Sequence, residues 1–428
     1  MINMENFYLI SAVVFSSLLA WGIGANDVSN AMGTAVGSKS ISIKQAILIA
    51  AIFEFLGALL AGSEVTNTIR EKIIILDIDN LNIVNVAHQH ILAMGMLSAL
   101  ISAAIWLIVA SYFGWPISTT HTVVGAIIGI GASQLGMSYI NLSYIAYIIF
   151  GWVISPLLGG IVAWLIFFSI QTFIFSKNKP LIAAKKSIIF YVFITIWVIA
   201  ILTGSKLYHL GIHLSFGENI FYSAIFSLLI ALICHLYIQR LDFDPKADLL
   251  FHFTNVEKIF SILTVFTACA MAFAHGSNDV ANSIGPAATV VSIFDKSGSS
   301  TTIPIWLMLL GASGIVIGLA TYGYKVIATI GNNITELTPS RAFAVSLATS
   351  AIVLLASSTG LPISTTHTLV GGILGIGLAR GIHALNLNVI KNIFVSWVMT
   401  VPIGAFLAII SYYVILNITK LLGVEINN

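Results

Sequence analysis

Charged residues are scarce in this chain, and their scarcity excludes most soluble folds. Only 8% of the 428 residues are Asp, Glu, Lys or Arg, while 58% are hydrophobic. Soluble domains carry about 25% charged residues, so this chain has too few to cover a water-exposed surface. The net charge of +2 is also too small to indicate nucleic-acid binding, and we predict no nucleic-acid partner.

Cysteine is rarer still, since only Cys234 and Cys269 occur and both lie within apolar runs. Two such cysteines predict neither a disulfide framework nor a zinc site. The segment from Met1 to Phe7 has no Lys or Arg, so it lacks the basic start of a signal peptide. We therefore expect the first apolar block to be retained as a membrane span.

Apolar blocks are what the chain has in abundance, and its mean hydropathy is +1.02. Each block is about 20 residues long, enough to cross a hydrocarbon core about 30 Å thick. The pattern predicts an all-α polytopic membrane protein of about 12 transmembrane helices. The predicted spans are Tyr8–Gly24, Lys44–Gly62, Ile91–Phe113, Ile140–Pro156, Leu158–Phe175, Ser187–Gly204, Ile220–Ile238, Ile259–Ala274, Ile303–Gly323, Ala342–Ser357, Ile390–Thr400 and Ile403–Leu416.

Two motifs occur twice, in the same order. Gly24-Ala-Asn-Asp-Val-Ser-Asn30 recurs as Gly276-Ser-Asn-Asp-Val-Ala-Asn282, and Pro116-Ile-Ser-Thr-Thr-His-Thr122 recurs unchanged from Pro362 to Thr368. We infer a duplication. It divides the chain into a first repeat over 8–175, a linker with two spans over 176–257 and a second repeat over 258–416.

Basic residues between the predicted spans indicate the orientation. They follow the first, fifth and seventh spans, as Lys39, Lys44, Lys177, Lys179, Lys185, Lys186, Arg240, Lys246 and Lys258. Placing them inside a plasma or inner membrane puts both chain ends outside. The first and eighth spans then run in opposite directions, which predicts inverted repeats of the kind found in secondary transporters. Arg70 and Lys72 count against this orientation, although acidic neighbours including Asp77 and Asp79 accompany them.

Each Pro-Ile-Ser-Thr-Thr-His-Thr copy is followed by an apolar stretch too short to span a bilayer as a helix. We predict a re-entrant helical hairpin in each repeat, buried in protein or lining a wet cavity. A helix N-terminus in such a place offers unpaired N–H groups to an anion. The candidate anion ligands are Ser118, Thr119, Thr120, Ser364, Thr365 and Thr366. Capping of a short helix is the alternative use of such side chains.

Asp27 and Asp279 stand at the ends of apolar blocks, where a carboxylate is costly unless it has a partner or a role. Carboxylate and amide oxygens suit a small hard cation. We predict sodium binding by Asn26, Asp27, Asn278 and Asp279. Proton binding by the two carboxylates, or simple helix capping, are the alternatives.

Three further side chains are candidates for a proton or substrate role. His121 and His367 lie in the duplicated heptapeptide, and packing is their alternative use. Glu54 lies within an apolar block, where an ionisable residue is a functional candidate by default. Its counterpart in the second half is Ile315, so the duplication gives Glu54 no support.

At these four motifs the chain resembles the inorganic phosphate transporter family, the PiT permeases. The resemblance covers Tyr8 to Phe175 and Lys258 to Leu416. It implies an inverted-repeat fold and a central phosphate site that includes Asn30 and Asn282, with cation sites beside it. It also implies a homodimer, and an importer of inorganic phosphate by cation symport. The oxygen ligands of the paired Asn-Asp motifs favour sodium as the co-transported ion.

Several other functions stay open at this point. Similar proteins include proton-linked carriers of metal–phosphate complexes and sulfate permeases, and an anion channel is a further alternative. A membrane enzyme is disfavoured because no nucleophile with an adjacent base is evident. We therefore predict no catalytic residues, and no cofactor apart from co-transported sodium.

Overall fold

The structure is a computed structural model, and it is helical almost throughout. It describes residues 4–75, 86–113, 115, 117–204, 214–240, 249–294, 303–324, 337–381 and 387–421. Within these ranges the only β-type pairing is an isolated bridge between Ile74 and Ile140. Five residues named above, Met1, Asp77, Asp79, Pro116 and Lys246, lie outside the described residues.

The described residues form thirteen α-helices. They are α1 Met4–Gly37, α2 Ile43–Ala61, α3 Ser63–Glu71, α4 Val86–Phe113, α5 Thr119–Ile130, α6 Leu142–Ile170, α7 Pro180–Gly204, α8 Phe216–Gln239, α9 Leu249–Phe294, α10 Ile305–Gly318, α11 Pro339–Ser358, α12 Thr365–Arg380 and α13 Leu387–Leu421. In the described part of the chain, 10 helices are long and apolar enough to cross a membrane. The predicted all-α polytopic fold class is confirmed.

Two of the predicted span boundaries are wrong. From Leu142 onward, the blocks Ile140–Pro156 and Leu158–Phe175 belong to α6 and the π-helical turn that continues it, with Pro156 inside the helix. The blocks Ile390–Thr400 and Ile403–Leu416 likewise belong to α13, which contains Pro402. Proline removes one helical hydrogen bond, but membrane helices tolerate it where neighbouring groups satisfy the freed carbonyl.

Both Asn-Asp motifs lie inside long helices, not at helix ends as expected from the sequence. Helix α1 continues past Asp27 to Gly37, and α9 continues past Asp279 to Phe294. The polar side chains do not end these helices because they find partners on neighbouring helices.

Helices α1 and α9 run in opposite directions. The ring of Tyr8, at the start of α1, stacks on Phe294 at the end of α9 with ring centroids 4.8 Å apart. At the other end, Ser261 Oγ of α9 lies 3.5 Å from the carbonyl oxygen of Ser40, just beyond α1. Between these ends Ser16 Oγ donates a 3.0 Å hydrogen bond to the Ser283 carbonyl.

Two helical hairpins pack against this central pair. Helices α4 and α5 form the first hairpin, and α11 and α12 form the second. The first tip meets the middle of α1, where Asn26 Nδ2 donates to Ser111 Oγ. The second meets the middle of α9, where Asn278 Nδ2 lies 3.3 Å from Ser357 Oγ. The tips thus enter the bundle beside the Asn-Asp motifs.

Each returning hairpin helix packs on the proline-containing helix of the other half. A Cβ added to Gly371 of α12 would lie 2.1 Å from the Pro156 carbonyl oxygen of α6. A Cβ on Gly125 of α5 would lie 2.5 Å from the Val401 carbonyl oxygen of α13. Glycine at these repeated positions is therefore required for backbone contact between the halves.

Candidate functional site

The hairpin tips begin the short helices α5 and α12. Ser118 and Ser364 cap them, because their Oγ atoms accept hydrogen bonds from the backbone N–H of His121 (3.2 Å) and His367 (3.1 Å). Capping thus uses both serine hydroxyls, which was the alternative interpretation for these residues. The first-turn N–H groups of a helix have no partner within that helix.

The first threonine of each tip contacts the aspartate of an Asn-Asp motif. Thr119 Oγ1 donates a 2.6 Å hydrogen bond to Asp27 Oδ2. Thr365 Oγ1 donates a 2.8 Å hydrogen bond to Asp279 Oδ2. Both carboxylates are buried, at 2% and 1% exposure. The structure therefore brings the predicted anion-binding tips and the predicted cation ligands into direct contact.

The second threonine of each tip joins the two halves. Thr120 Oγ1 donates to the Ile363 carbonyl of the opposite tip at 3.1 Å and accepts from Asn282 Nδ2 at 3.2 Å.

The mirror set repeats this arrangement. Thr366 Oγ1 donates to the Ile117 carbonyl at 3.2 Å and accepts from Asn30 Nδ2 at 2.8 Å. The two tips are closed against each other, and their threonine hydroxyls bond to protein groups.

The remaining motif asparagines face the hairpin helices. Asn26 and Asn278 contact Ser111 and Ser357, and sequence reasoning missed both serines. A signal was present, because Ser111 and Ser357 occupy matching places before the two duplicated heptapeptides.

His121 and His367 pack against each other and against tryptophans. Their ring centroids are 4.3 Å apart, and they lie 3.8 Å from Trp152 and 3.7 Å from Trp397 respectively. These contacts give both histidines a packing role, and a proton or substrate role stays a prediction. The two tryptophans were missed, although each precedes the helix proline of its half, Pro156 or Pro402.

Glu54 is connected to the site by His275, a residue that sequence reasoning missed. His275 Nδ1 lies 3.2 Å from Glu54 Oε1, and His275 Nε2 lies 2.7 Å from Asp279 Oδ2. Ligand atoms of Asp27, His275 and Asp279 all lie within 4.8 Å of one another. His275 stands four residues before Asp279, a spacing that places both on one helix face and was the available signal.

These helices and contacts define a polytopic membrane protein with a buried polar centre between two hairpin tips. A model of the phosphate transporter family matches residues 23–408. The chain belongs to this family, which is a family of transporters and not of enzymes.

Relatives from bacteria, archaea and plants match along most of the chain. A Haemophilus influenzae protein named "Putative phosphate permease" is 51% identical over 95% of this chain and 96% of its own length. A Thermococcus kodakarensis permease of the same description is 40% identical, covering 94% and 96%. The chloroplastic inorganic phosphate transporter 2-1 of Arabidopsis thaliana is 39% identical, covering 95% of this chain and 72% of its own length.

One solved structure is similar throughout. It is described as the sodium-dependent phosphate transporter, and it matches 96% of this chain and 99% of its own with a TM-score of 0.86 and 38% identity.

Proposed function

We propose that this protein is a secondary active transporter that imports inorganic phosphate together with sodium. The observation that carries the proposal is the pair of hydrogen bonds from Thr119 to Asp27 and from Thr365 to Asp279. They join two helix N-termini, which suit an anion, to two carboxylates, which suit a cation. Sodium dependence of the structurally similar transporter supports the same co-transported ion.

Phosphate would bind between the hairpin tips. Its ligands would be the hydroxyls of residues 118–120 and 364–366 with Asn30 and Asn282, while Asn26, Asp27, Asn278 and Asp279 would hold sodium. Because Thr120 and Thr366 bond across the tips, phosphate must displace these contacts. The closed tips would thus open on one side of the membrane at a time.

Cation coupling has an energetic reason. Moving one negative charge against an inside-negative potential costs about 2.3 kcal/mol per 100 mV. None of the four motifs contains Lys or Arg, so the bound cation must offset the charge of phosphate. Two sodium ions would neutralise divalent phosphate.

The proposal includes two inverted repeats with their hairpins entering from opposite sides. The opposed directions of α1 and α9 support it, as do the mirrored contacts of the two tips. The repeats are 8–175 and 258–416, with α7 and α8 in the linker 176–257. A homodimer stays a prediction.

We also propose that both chain ends lie outside a plasma or inner membrane. The basic segments meet at one end of the bundle, where Gln239 Nε2 lies 3.3 Å from the Lys185 carbonyl and Phe175 packs on Phe253. The positive-inside rule makes this the inner end. Arg70 and Lys72 lie at the opposite end, near Ile74 and Ile140, and remain the counter-evidence.

Reconstituted liposomes test the proposed coupling. The purified protein should accumulate labelled phosphate against its gradient when sodium is imposed outside, and should not do so under a proton gradient without sodium. Excess sulfate should not compete. If phosphate uptake is the same with and without the sodium gradient and the proton gradient, the result would contradict cation symport and favour a channel.

A second candidate is a proton-coupled carrier of a metal–phosphate complex. It is favoured by the proximity of Asp27, His275 and Asp279, because an imidazole nitrogen suits a transition metal better than sodium. In this case uptake without sodium should depend on a divalent metal and should stop when a chelator is added.

Valine at Thr120 or Thr366 should weaken phosphate binding. Each substitution keeps the side-chain shape and removes one hydroxyl, which would turn from the opposite tip to phosphate when phosphate binds. Loss of one or two buried hydrogen-bonding contacts should raise the phosphate half-saturation concentration about tenfold.

Thr203→Val is the matched control, because the Thr203 hydroxyl bonds only to carbonyls of its own helix α7 in the described chain. Labelled-phosphate uptake at saturating sodium measures the effect. If both tip variants had the phosphate half-saturation concentration of the wild type, the hairpin tips would not be part of the anion site.

A further inference from the structure

The two Asn-Asp motifs are duplicated, yet their aspartates have unequal surroundings. Thr119 and Thr365 contact Asp27 and Asp279 in the same way. Four residues before Asp279 stands His275, whereas the matching position before Asp27 is Ile23. The two halves are therefore symmetric at the hairpin tips but differ at His275 and Ile23.

The neighbouring helices α2 and α10 also differ from each other at matching positions. Gly276 of α9 packs on the backbone of Glu54, where an added Cβ would lie 2.1 Å from its carbonyl oxygen. Gly24 of α1 packs in the same manner on Ile315. Glu54 and Ile315 are thus mirror positions, one ionisable and one apolar.

Glu54, His275 and Asp279 form a continuous buried chain. His275 lies 3.2 Å from Glu54 Oε1 and 2.7 Å from Asp279 Oδ2 through its two ring nitrogens. Glu54 and His275 are 0% exposed and Asp279 is 1% exposed. Asp279 Oδ2 also accepts from Thr365, so two neighbours fix the position of this oxygen.

Asp27 has no histidine on its own helix to match the contact between His275 and Asp279. Its Oδ2 accepts from Thr119. Its Oδ1 is buried without a hydrogen-bond partner among the residues that the structure describes, as are both carboxylate oxygens of Glu54, one of which is the Oε1 that lies beside His275. A buried carboxylate oxygen without a donor is costly, and a cation is the ligand that would satisfy it.

We propose that Glu54 and His275 are positioning residues that fix the Asp279 carboxylate and make the two aspartates unequal, with Asp27 as the principal cation ligand. The inference rests on the proposed cation symport and deepens it. A carboxylate commonly orients a metal-ligating histidine, and loss of such an outer partner weakens metal affinity by about 10- to 100-fold. Here the histidine orients another ligand, because its Nε2 points at Asp279.

The test uses Glu54→Gln and His275→Gln, with Ile315→Val and Ile23→Val as controls at the mirror positions. Labelled-phosphate uptake into liposomes gives two half-saturation concentrations, one for sodium and one for phosphate at saturating sodium. We expect both test variants to raise the sodium value about tenfold or more and to leave the phosphate value within about twofold. The mirror controls should match the wild type in both.

A double variant separates positioning from general damage. If Glu54 and His275 act as one unit, Glu54→Gln with His275→Gln should be no worse than either alone. Asp27→Asn should also raise the sodium half-saturation more than Asp279→Asn does. If Glu54→Gln does not fold, Glu54→Asp, which keeps the carboxylate and withdraws it from His275, supplies the same comparison.

The outcomes distinguish the inference from the proposed function. Phosphate uptake by the wild type without any cation requirement overturns the symport and the inference together. Sodium-dependent uptake, with the test variants indistinguishable from the mirror controls, overturns only the inference. Equal loss of phosphate and sodium affinity in the test variants would also overturn it, since that pattern indicates a structural role.

Discussion

Replacing Asp27 by asparagine is expected to raise the sodium half-saturation concentration of phosphate uptake about thirtyfold or more while leaving the protein folded. Asparagine has almost the same shape, and its amide oxygen can still accept the hydrogen bond from Thr119. What disappears is the negative charge. In a binding site, loss of one partner of a buried charge pair costs about 2 to 5 kcal/mol, which corresponds to about one and a half to nearly four orders of magnitude in affinity.

Sodium activation of labelled-phosphate uptake measures this effect, with thermal unfolding in detergent as the check on folding. Glu218→Gln is the matched control, because Glu218 is exposed at the start of α8 and its side chain caps Ser215, a role that glutamine also fills. A folded Asp27→Asn protein with the sodium dependence of the wild type would exclude Asp27 from the cation site.

The duplicated motifs predicted much of the buried centre. The motifs predicted an anion site at Thr119 and Thr365 and a cation site at Asp27 and Asp279, and the family resemblance implied that these sites lie side by side. The structure places Thr119 and Asp27, and Thr365 and Asp279, in hydrogen-bond contact. Because each motif occurs in both halves, the repeat alone identifies its residues as candidates, without any information on how the helices pack. The all-α class could also be predicted from local sequence alone, because it depends only on the length of the apolar blocks.

Residues contributed by other helices could not be found in this way. Trp152 and Trp397 reach the hairpin histidines from α6 and α13, and a local pattern carries no information about which distant helix packs where. The duplication gave no information on Glu54, because its contact in the structure is with His275, which has no counterpart in the first half.

Helix continuity was misjudged for a related reason. Pro156 and Pro402 interrupt apolar blocks in the sequence, but α6 and α13 continue through them. The carbonyl of Pro156 lies against Gly371, so tertiary packing supports the helix where local propensity predicts a break. Asp27 and Asp279 likewise sit inside helices because their polar partners come from the hairpins.

Alanine at Gly24 is expected to destabilise the fold severely, although it adds only one methyl group. A Cβ at Gly24 would lie 1.8 Å from the Ile315 carbonyl oxygen and 2.6 Å from its carbon. These are backbone atoms of α10, so no side-chain rotation relieves the clash and the helices must separate. We expect a loss of about 3 kcal/mol or more in the free energy of unfolding, at or above the usual range for overpacking.

Gly217→Ala is the control, because a Cβ there has no atom within 4 Å in the described structure and alanine favours helix. Thermal unfolding in detergent should show a large decrease for Gly24→Ala and none for Gly217→Ala. Unchanged stability of Gly24→Ala would contradict the backbone contact between α1 and α10. Because Asp27 lies one helical turn beyond Gly24, separation of these helices also moves the carboxylate away from Thr119, so any Gly24→Ala protein that still folds should lose sodium affinity before it loses phosphate affinity.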